Sequence, residues 1–296
     1  MDISIIFVNY KTKDLTINAI KSVIEQTKDI EYEIFAVDNN SQDGSIEAIE
    51  EEFPNINIIK NSVNAGFGAA NNLAIRKAQG KYIFCLNTDT ILLNNAIKIM
   101  FDFMEKDENQ NIGACGAYLT DRDNKPVTCG GLHPCLSGVI WKFGLRNLFK
   151  KYYSKKYEGA IGIKDRKIFK NLGYITGANL FIRKSILDKT GGFDENLFMY
   201  FEDTDLCARI RKCGYKLEFV EAAKIQHLEG KSTKNSLLKK KWFKKSELYF
   251  FKKHNPVKFF IIQFMYIVLY LINWGVLKDK DSKDMISFVI KEGKQN

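Results

Sequence analysis

Four short runs near the start of the chain, Ile3 to Val8, Glu33 to Val37, Ile56 to Lys60 and Tyr82 to Leu86, are rich in β-branched and aromatic residues. They predict buried strands, because strands covered on both faces lack polar alternation. Between them apolar residues recur every three or four positions: Leu15, Ala19 and Val23 with Ile20 and Ile24, then Ile46, Ile49 and Phe53, then Ala69 to Ala78. That spacing places each set on one helical face. Strands alternating with crossover helices predict an α/β fold, a Rossmann-like, mostly parallel sheet flanked by helices. The loops after the four strands, Asn9 to Lys13, Asp38 to Ser45, Asn61 to Gly68 and Asn87 to Thr90, should then open on one crevice, since open α/β sheets bind ligands outside the strands' carboxyl ends. Further on, Ala96 to Met104 reads as a helix and Ile112 to Tyr118 as a strand.

Near the end the pattern changes. Phe259 to Leu277 is apolar almost throughout, at the lower limit for crossing a bilayer. Gln263, Tyr266, Tyr270 and Asn273 fall on one helical face, which suits a helix lying in or dipping into the headgroup layer, or else a core helix. Charge sharpens the choice. Between Lys231 and Lys258 stand ten lysines and one acid, Glu247, so this segment carries +9 of the chain's net +10. A lysine cluster beside an apolar helix points to an anionic membrane surface rather than nucleic acid, for which no recognisable module is present. The six cysteines form no CxxC pair and suit reduced, structural thiols. The first strand lacks the basic flank of a secretory signal, so a cytoplasmic location is expected, at the membrane face.

The candidate chemistry lies in the strand-end loops. Asp38, opening Val37-Asp38-Asn39-Asn40-Ser41, can accept from a base N–H or a ribose hydroxyl, or simply make an Asx turn. Gly66 and Gly68 permit close backbone approach to a ligand, but Asn61 to Asn72 matches neither the dinucleotide fingerprint nor a P-loop. Asp89, in Asn87-Thr88-Asp89, can hold a hard divalent cation that in turn holds a diphosphate. In Glu202-Asp203-Thr204-Asp205 an extended start would let only one or two acids reach a substrate, with a helix from Leu206 to Lys212 behind them. Trp141, Leu145, Leu148, Phe149 and Tyr152 recur at helical spacing among basic residues, either as a core helix or as an acceptor-side, membrane-touching element.

These motifs resemble glycosyltransferase family 2 in order and spacing. The resemblance rests on Val8-Asn9-Tyr10, Val37 to Ser41, Asn64-Ala65-Gly66-Phe67-Gly68 with Asn71, Asn87-Thr88-Asp89, Thr176-Gly177-Ala178-Asn179, Gly191 to Glu195, Phe198 to Cys207 and His227 to Thr233. The late signature looks most like the rhamnosyltransferase branch, and the similarity spans roughly residues 1 to 235. It implies a GT-A fold and an inverting, divalent-cation-dependent (Mn or Mg) transfer of a sugar from a dTDP or UDP donor, and the branch points to L-rhamnose from dTDP-rhamnose. The acceptor it implies is a lipid-linked glycan in bacterial surface-polysaccharide synthesis. Carried over by position, it implies Asp203 as catalytic base with Glu202 beside it, and Asp89 and His227 at the metal. Asn9, Asp38, Asn40, Asn64, Gly66, Asn71, Asn87 and Thr88 would line the nucleotide sugar, and Thr176, Gly177 and Trp141 the acceptor side. One position departs from the family: Asn87 stands where the first acid of Asp-X-Asp is usual, and it adds no charge to the metal site. The alternatives are a UDP-hexose donor or a non-catalytic nucleotide-sugar-binding subunit. Expected parts are a nucleotide-sugar half at 1–95, an acceptor and catalytic half at 96–235, and a basic helical tail at 236–296.

Overall fold

The computed structural model describes residues 1–142, 172–228, 236–278 and 280–294. The expected helix after Trp141 and the Glu229 to Thr233 end of the histidine motif lie outside them. The chain divides into two compact units, one of residues 1–133, 157–196 and 202–230, the other of 134–156, 197–201 and 231–296.

In the first unit an eight-stranded sheet runs in the order β3-β2-β1-β4-β9-β6-β10-β5. The strands are β1 (Ile3–Asn9), β2 (Tyr32–Asp38), β3 (Asn57–Lys60), β4 (Tyr82–Leu86), β5 (Thr90–Leu92), β6 (Ile112–Thr120), β9 (Asn179–Arg183) and β10 (Lys216–His227), while β7 (Gly130–Leu132) and β8 (Leu172–Ile175) form a separate antiparallel pair. The four strands read from apolar runs are present and pair in parallel. The second half is mixed: β9 runs antiparallel to both β4 and β6, β10 pairs in parallel with β6, and β5 closes the edge antiparallel to β10.

Alternation along each strand builds two cores. Ile3, Ile5 and Phe7 face α1 (Lys13–Gln26), α2 (Ser45–Glu52) and α4 (Ala96–Glu105), whereas Ile6, Ile83 and Cys85 face α3 (Phe67–Ile75), α6 (Lys184–Thr190) and α7 (Glu202–Lys212). Both faces are therefore covered, as contiguous apolar strands require. Because β1 lies between β2 and β4, the chain switches direction across the sheet there, and the carboxyl ends of such strands are where open α/β sheets bind ligands. Arg183 in the Phe-Ile-Arg stretch is structural: it is buried and donates to the carbonyls of Ile112, Met104 and Asn109 and to the Tyr82 hydroxyl.

The acid motif differs from expectation. The helix begins at Glu202, not Leu206, so Glu202 and Asp203 occupy its first turn rather than an extended lead. The helix dipole explains this: Glu202, Asp203 and Asp205 suit its positive start, and Arg209, Arg211 and Lys212 its negative end.

The second unit holds α5 (Leu136–Lys142), the segment 197–201, and three helices, α8 (Ser236–His254), α9 (Pro256–Leu277) and α10 (Lys280–Lys294). Pro256 at the first turn and Asn255, accepting from the Lys258 amide at 3.0 Å, start α9. Its polar face turns inward: Tyr266 is buried and donates to Glu247 at 2.7 Å, and Gln263 donates to the Val289 carbonyl. The outward face is apolar, with Val257, Phe260, Phe264, Leu271, Ile272, Trp274 and Val276 exposed. By length and composition α9 is long enough to cross a membrane. The segment 197–201 is held by α8: Phe198 packs on Trp242, Tyr200 and Phe201 on Phe243, and Ser246 Oγ donates to the Met199 carbonyl.

Candidate active site

Each strand-end loop is fixed by side chains that reach its neighbour. Asp38 ends β2 and is buried; its Oδ1 accepts from Asn9 Nδ2 at 2.7 Å and its Oδ2 from the Ser41 amide at 3.0 Å. Asn9 Oδ1 accepts from the Thr12 and Thr16 hydroxyls, and Thr12 Oγ1 lies 3.1 Å from Thr88 Oγ1. A continuous hydrogen-bonded path thus runs from Asp38 through Asn9 and Thr12 to Thr88, the neighbour of Asp89.

Asn39 is a second hub. Its amide nitrogen donates to Asn64 Oδ1 and the Gly66 carbonyl, and its oxygen accepts from Asn61 Nδ2 and the Ala65 amide, so it ties the second loop to the third. Sequence reasoning chose Asn40 of this pair. Asn40 is only half-buried and takes a left-handed backbone (φ 64°), a conformation asparagine tolerates. The signal that marks Asn39 was present, a polar residue directly after the last buried strand position, but its partners lie 22 to 27 residues away. Asn64 also accepts from the Gly66 amide, and Gly66 has φ +87°. Asn71 is fully buried on α3, donating to the Phe67 carbonyl while its Oδ1 has no partner. Asn72 braces the Gly191-Gly192-Phe193 turn by bonding both polar atoms of Phe193's backbone.

Asp89 and His227 meet. β10 runs antiparallel to β5, so His227 pairs with Thr90 and its Nε2 comes 3.2 Å from Asp89 Oδ1; the Leu228 amide donates to the Asp89 carbonyl. Both side chains are about one-fifth exposed, hence reachable by a ligand. Among the described residues no cluster of three or more histidines, cysteines and acids gathers, so this pair would leave several coordination positions to water and phosphate oxygens. One carboxylate and one imidazole, both partly exposed, are a donor set that suits a hard divalent cation.

Asp203 is tied to the turn before β9, and that turn to the loop of Asn87. The Gly177 amide donates to Asp203 Oδ2 at 2.9 Å, and Asn87's amide donates to the Ala178 carbonyl at 3.1 Å. Asp203 Oδ1 also accepts from the Thr204 amide and hydroxyl. Glu202 is buried beside it, with Oε2 lacking any partner. Burial, then the charge of Asp203, pushes Glu202 up to about 8. Burial also raises Asp203, against hydrogen bonds that pull it down. The donors favour negative charge on Asp203, so of the two acids Glu202 keeps the proton at neutral pH. Thr176 lies in the same turn, its amide bonded to the Cys129 carbonyl. Trp141 falls on α5 in the second unit, and its side chain lies outside the described residues. Burial pushes the Cys129 thiol up to about 11 and that of Cys207 to about 12, which makes them inert.

A sheet with its switch point at β1, strand-end asparagines and aspartates bonded from loop to loop, and an adjoining Asp–His pair make up a GT-A architecture. The chain belongs to glycosyltransferase family 2, whose model matches residues 4–191; the family 21 model matches residues 166–280. It is 26% identical over 220 residues to the N-acetylglucosaminyl-diphospho-decaprenol L-rhamnosyltransferase of Mycobacterium tuberculosis, covering 68% of this chain and 67% of that one. It is likewise 26% identical to rhamnosyltransferase WbbL of Escherichia coli, covering 70% and 78%. Among solved structures it resembles GalNAc-T7 with UDP, GalNAc and Mn2+ (TM-score 0.59, 15% identity, 85% of this chain and 48% of that one). It also resembles the mannosyltransferase PcManGT of Pyrobaculum calidifontis with GDP-Man and Mn2+ (TM-score 0.56, 12% identity, 98% and 85%). The chain is a rhamnosyltransferase-like glycosyltransferase, and its fold is GT-A as the motifs implied.

Proposed function

We propose that this enzyme moves L-rhamnose from dTDP-rhamnose to the sugar hydroxyl of a lipid-linked glycan, with inversion, at the cytoplasmic face of the membrane. The observation that carries this reading is the Asp203 carboxylate, fixed by three donors and joined through Gly177, Ala178 and Asn87 to the loop that ends in Asp89.

Asp203 takes the proton from the acceptor hydroxyl as that oxygen bonds to the anomeric carbon and the bond to the donor diphosphate breaks. Its raised proton affinity suits a base working near neutral pH. The protonated Glu202 keeps a second negative charge away from the reacting centre. Asp38 and Asn9 hold the floor of the nucleotide subsite, with Asn40, Asn64, Gly66, Asn71, Asn87 and Thr88 along its walls. Asp89 and His227 would hold the divalent cation, which when bound neutralises charge on the departing diphosphate. Asn87 adds no charge, so the ion depends on Asp89, His227 and the donor's own phosphates. The named activities of the mycobacterial and Escherichia coli relatives support rhamnose and a lipid diphosphate acceptor. A UDP-hexose donor is the second reading, favoured by 34% identity over 116 residues to the poly(ribitol-phosphate) beta-glucosyltransferase of Bacillus spizizenii, though only 38% of this chain is covered.

Asp203→Asn tests the mechanism. Transfer should fall by about 10²- to 10⁴-fold while nucleotide-sugar affinity stays within error. A variant with normal turnover would remove Asp203 as the base. Product mass with a panel of dTDP and UDP sugars separates the two donor readings.

A further inference from the structure

A feature of the helical unit is unused by this mechanism. A cavity of about 300 Å³ is lined by Tyr200, Lys239, Lys240, Phe243, Lys244 and Tyr270. That volume is at the lower end of small-molecule sites, enough for a headgroup but not a whole lipid-linked saccharide. Its described lining consists of three lysines and three aromatic residues. Lys239, Lys240, Phe243 and Lys244 lie at spacings of one, four and five on α8, so they share a face, and Lys240 and Lys244 are a like-charge pair one helical turn apart. Among the described residues, two acids pair with these lysines. Glu247 bonds Lys244 at 2.9 Å and also accepts from the Tyr266 hydroxyl, while Asp281 lies 3.8 Å from Lys240 with both side chains largely in solvent. Such a face favours an anion with several acceptor oxygens, and the rings favour an apolar group attached to it.

We propose that this cavity binds the diphosphate of a polyprenyl diphosphate, the anionic linker of the acceptor; the inference rests on the acceptor class proposed above. A further observation favours that occupant over a free phosphate. Tyr270 lies on α9, whose neighbouring Leu271, Ile272 and Trp274 are exposed and apolar, so a chain leaving the cavity finds an apolar helix face within the same unit. Tyr200 and Phe201 both adopt left-handed backbone (φ 68° and 65°), a costly arrangement for aromatic residues that the contacts with α8 hold in place.

The test is binding by the full chain, independent of turnover. Flotation is measured with phosphatidylcholine vesicles carrying undecaprenyl diphosphate or, at matched charge, phosphatidylglycerol. The wild type should prefer undecaprenyl diphosphate, and Lys239→Gln/Lys240→Gln should weaken that binding about tenfold or more while leaving phosphatidylglycerol binding little changed. Tyr270→Phe should give a smaller loss. Lys245→Gln, exposed on α8 outside the lining, should give none. Equal wild-type affinity for the two vesicles, or equal loss in the Lys245 and Lys239/Lys240 variants, overturns the site and leaves only bulk charge attraction. Binding of dTDP and UDP sugars is measured on the same preparations. Nucleotide-sugar binding without lipid discrimination sinks the cavity alone, and lipid discrimination without nucleotide-sugar binding supports it while sinking the glycosyltransferase donor reading.

Discussion

Glu202 and Asp203 are adjacent acids that the first turn of one helix treats differently. Three donors hold charge on Asp203, whereas nothing reaches Glu202 Oε2. The folded protein thus holds the Glu202 proton more tightly than the unfolded chain does. That stabilisation is complete below the ordinary carboxylate value and is lost as pH rises through about 8. Glu202→Gln should flatten the fall in Tm that the wild type shows on going from weakly acidic to weakly alkaline pH, and should keep most of the turnover. Loss of turnover on the scale of Asp203→Asn would move the base to Glu202. The sequence revealed the acids themselves, because a carboxylate after an apolar strand or at a helix start stands out. It did not reveal which acid is charged, since that depends on Gly177, 26 residues earlier. Asn39 and Ser41 stand in the motif but were not singled out as site residues, because Asn39's partners and the Asn9 and Lys11 groups that bond Ser41 are distant in the chain.

Between elements, α3 and α7 approach closely because Gly68 has no side chain. A Cβ there would lie 2.9 Å from Phe193 Cβ and 3.5 Å from Glu202 Cβ, and the first of these is too near for real atoms. Gly68→Ala should force the Phe193 turn or the start of α7 to move, costing about 1–3 kcal/mol of stability. It should lower kcat more than it weakens nucleotide-sugar binding, because Asp203 rides on that helix start. A normal Tm and normal kcat would show that the contact relaxes elsewhere. The parallel half of the sheet was readable in advance, since β1 to β4 are buried on both faces and so appear as uninterrupted apolar runs. The mixed half was not. β9 inserts between β4 and β6 against chain order, and β10 alternates buried and exposed residues across a bulge near Val220 to Lys224. Pairing of that kind is set by long-range packing, which local periodicity does not encode.

For the molecule as a whole, α9 bears on how the enzyme would meet the lipid-linked acceptor proposed for it. The spacing of its polar residues suggested a polar face toward the headgroups, but that face instead packs inward, through Tyr266 on Glu247 and Gln263 on Val289. Crossing a bilayer would carry this polar seam, with buried Glu247 and Lys244, into hydrocarbon at high cost. A helix seated in the interface keeps the seam inside the protein and offers only the apolar side to lipid. Phe260 and Phe264, 64% and 67% exposed, are central to that side, and burying such a ring in lipid stabilises by about 1.5–3 kcal/mol. Phe260→Glu/Phe264→Glu should therefore shift the protein from the membrane fraction to the soluble one, with partitioning reduced by about a hundredfold or more. Its Tm should hold, because neither ring is needed inside. Removing α8 to α10 altogether is the poorer experiment, since α8 also grips the segment 197–201 that leads directly into Glu202 and Asp203. If the double variant still sediments with membranes, α9 is a structural helix and the anchoring must come from the lysines before it.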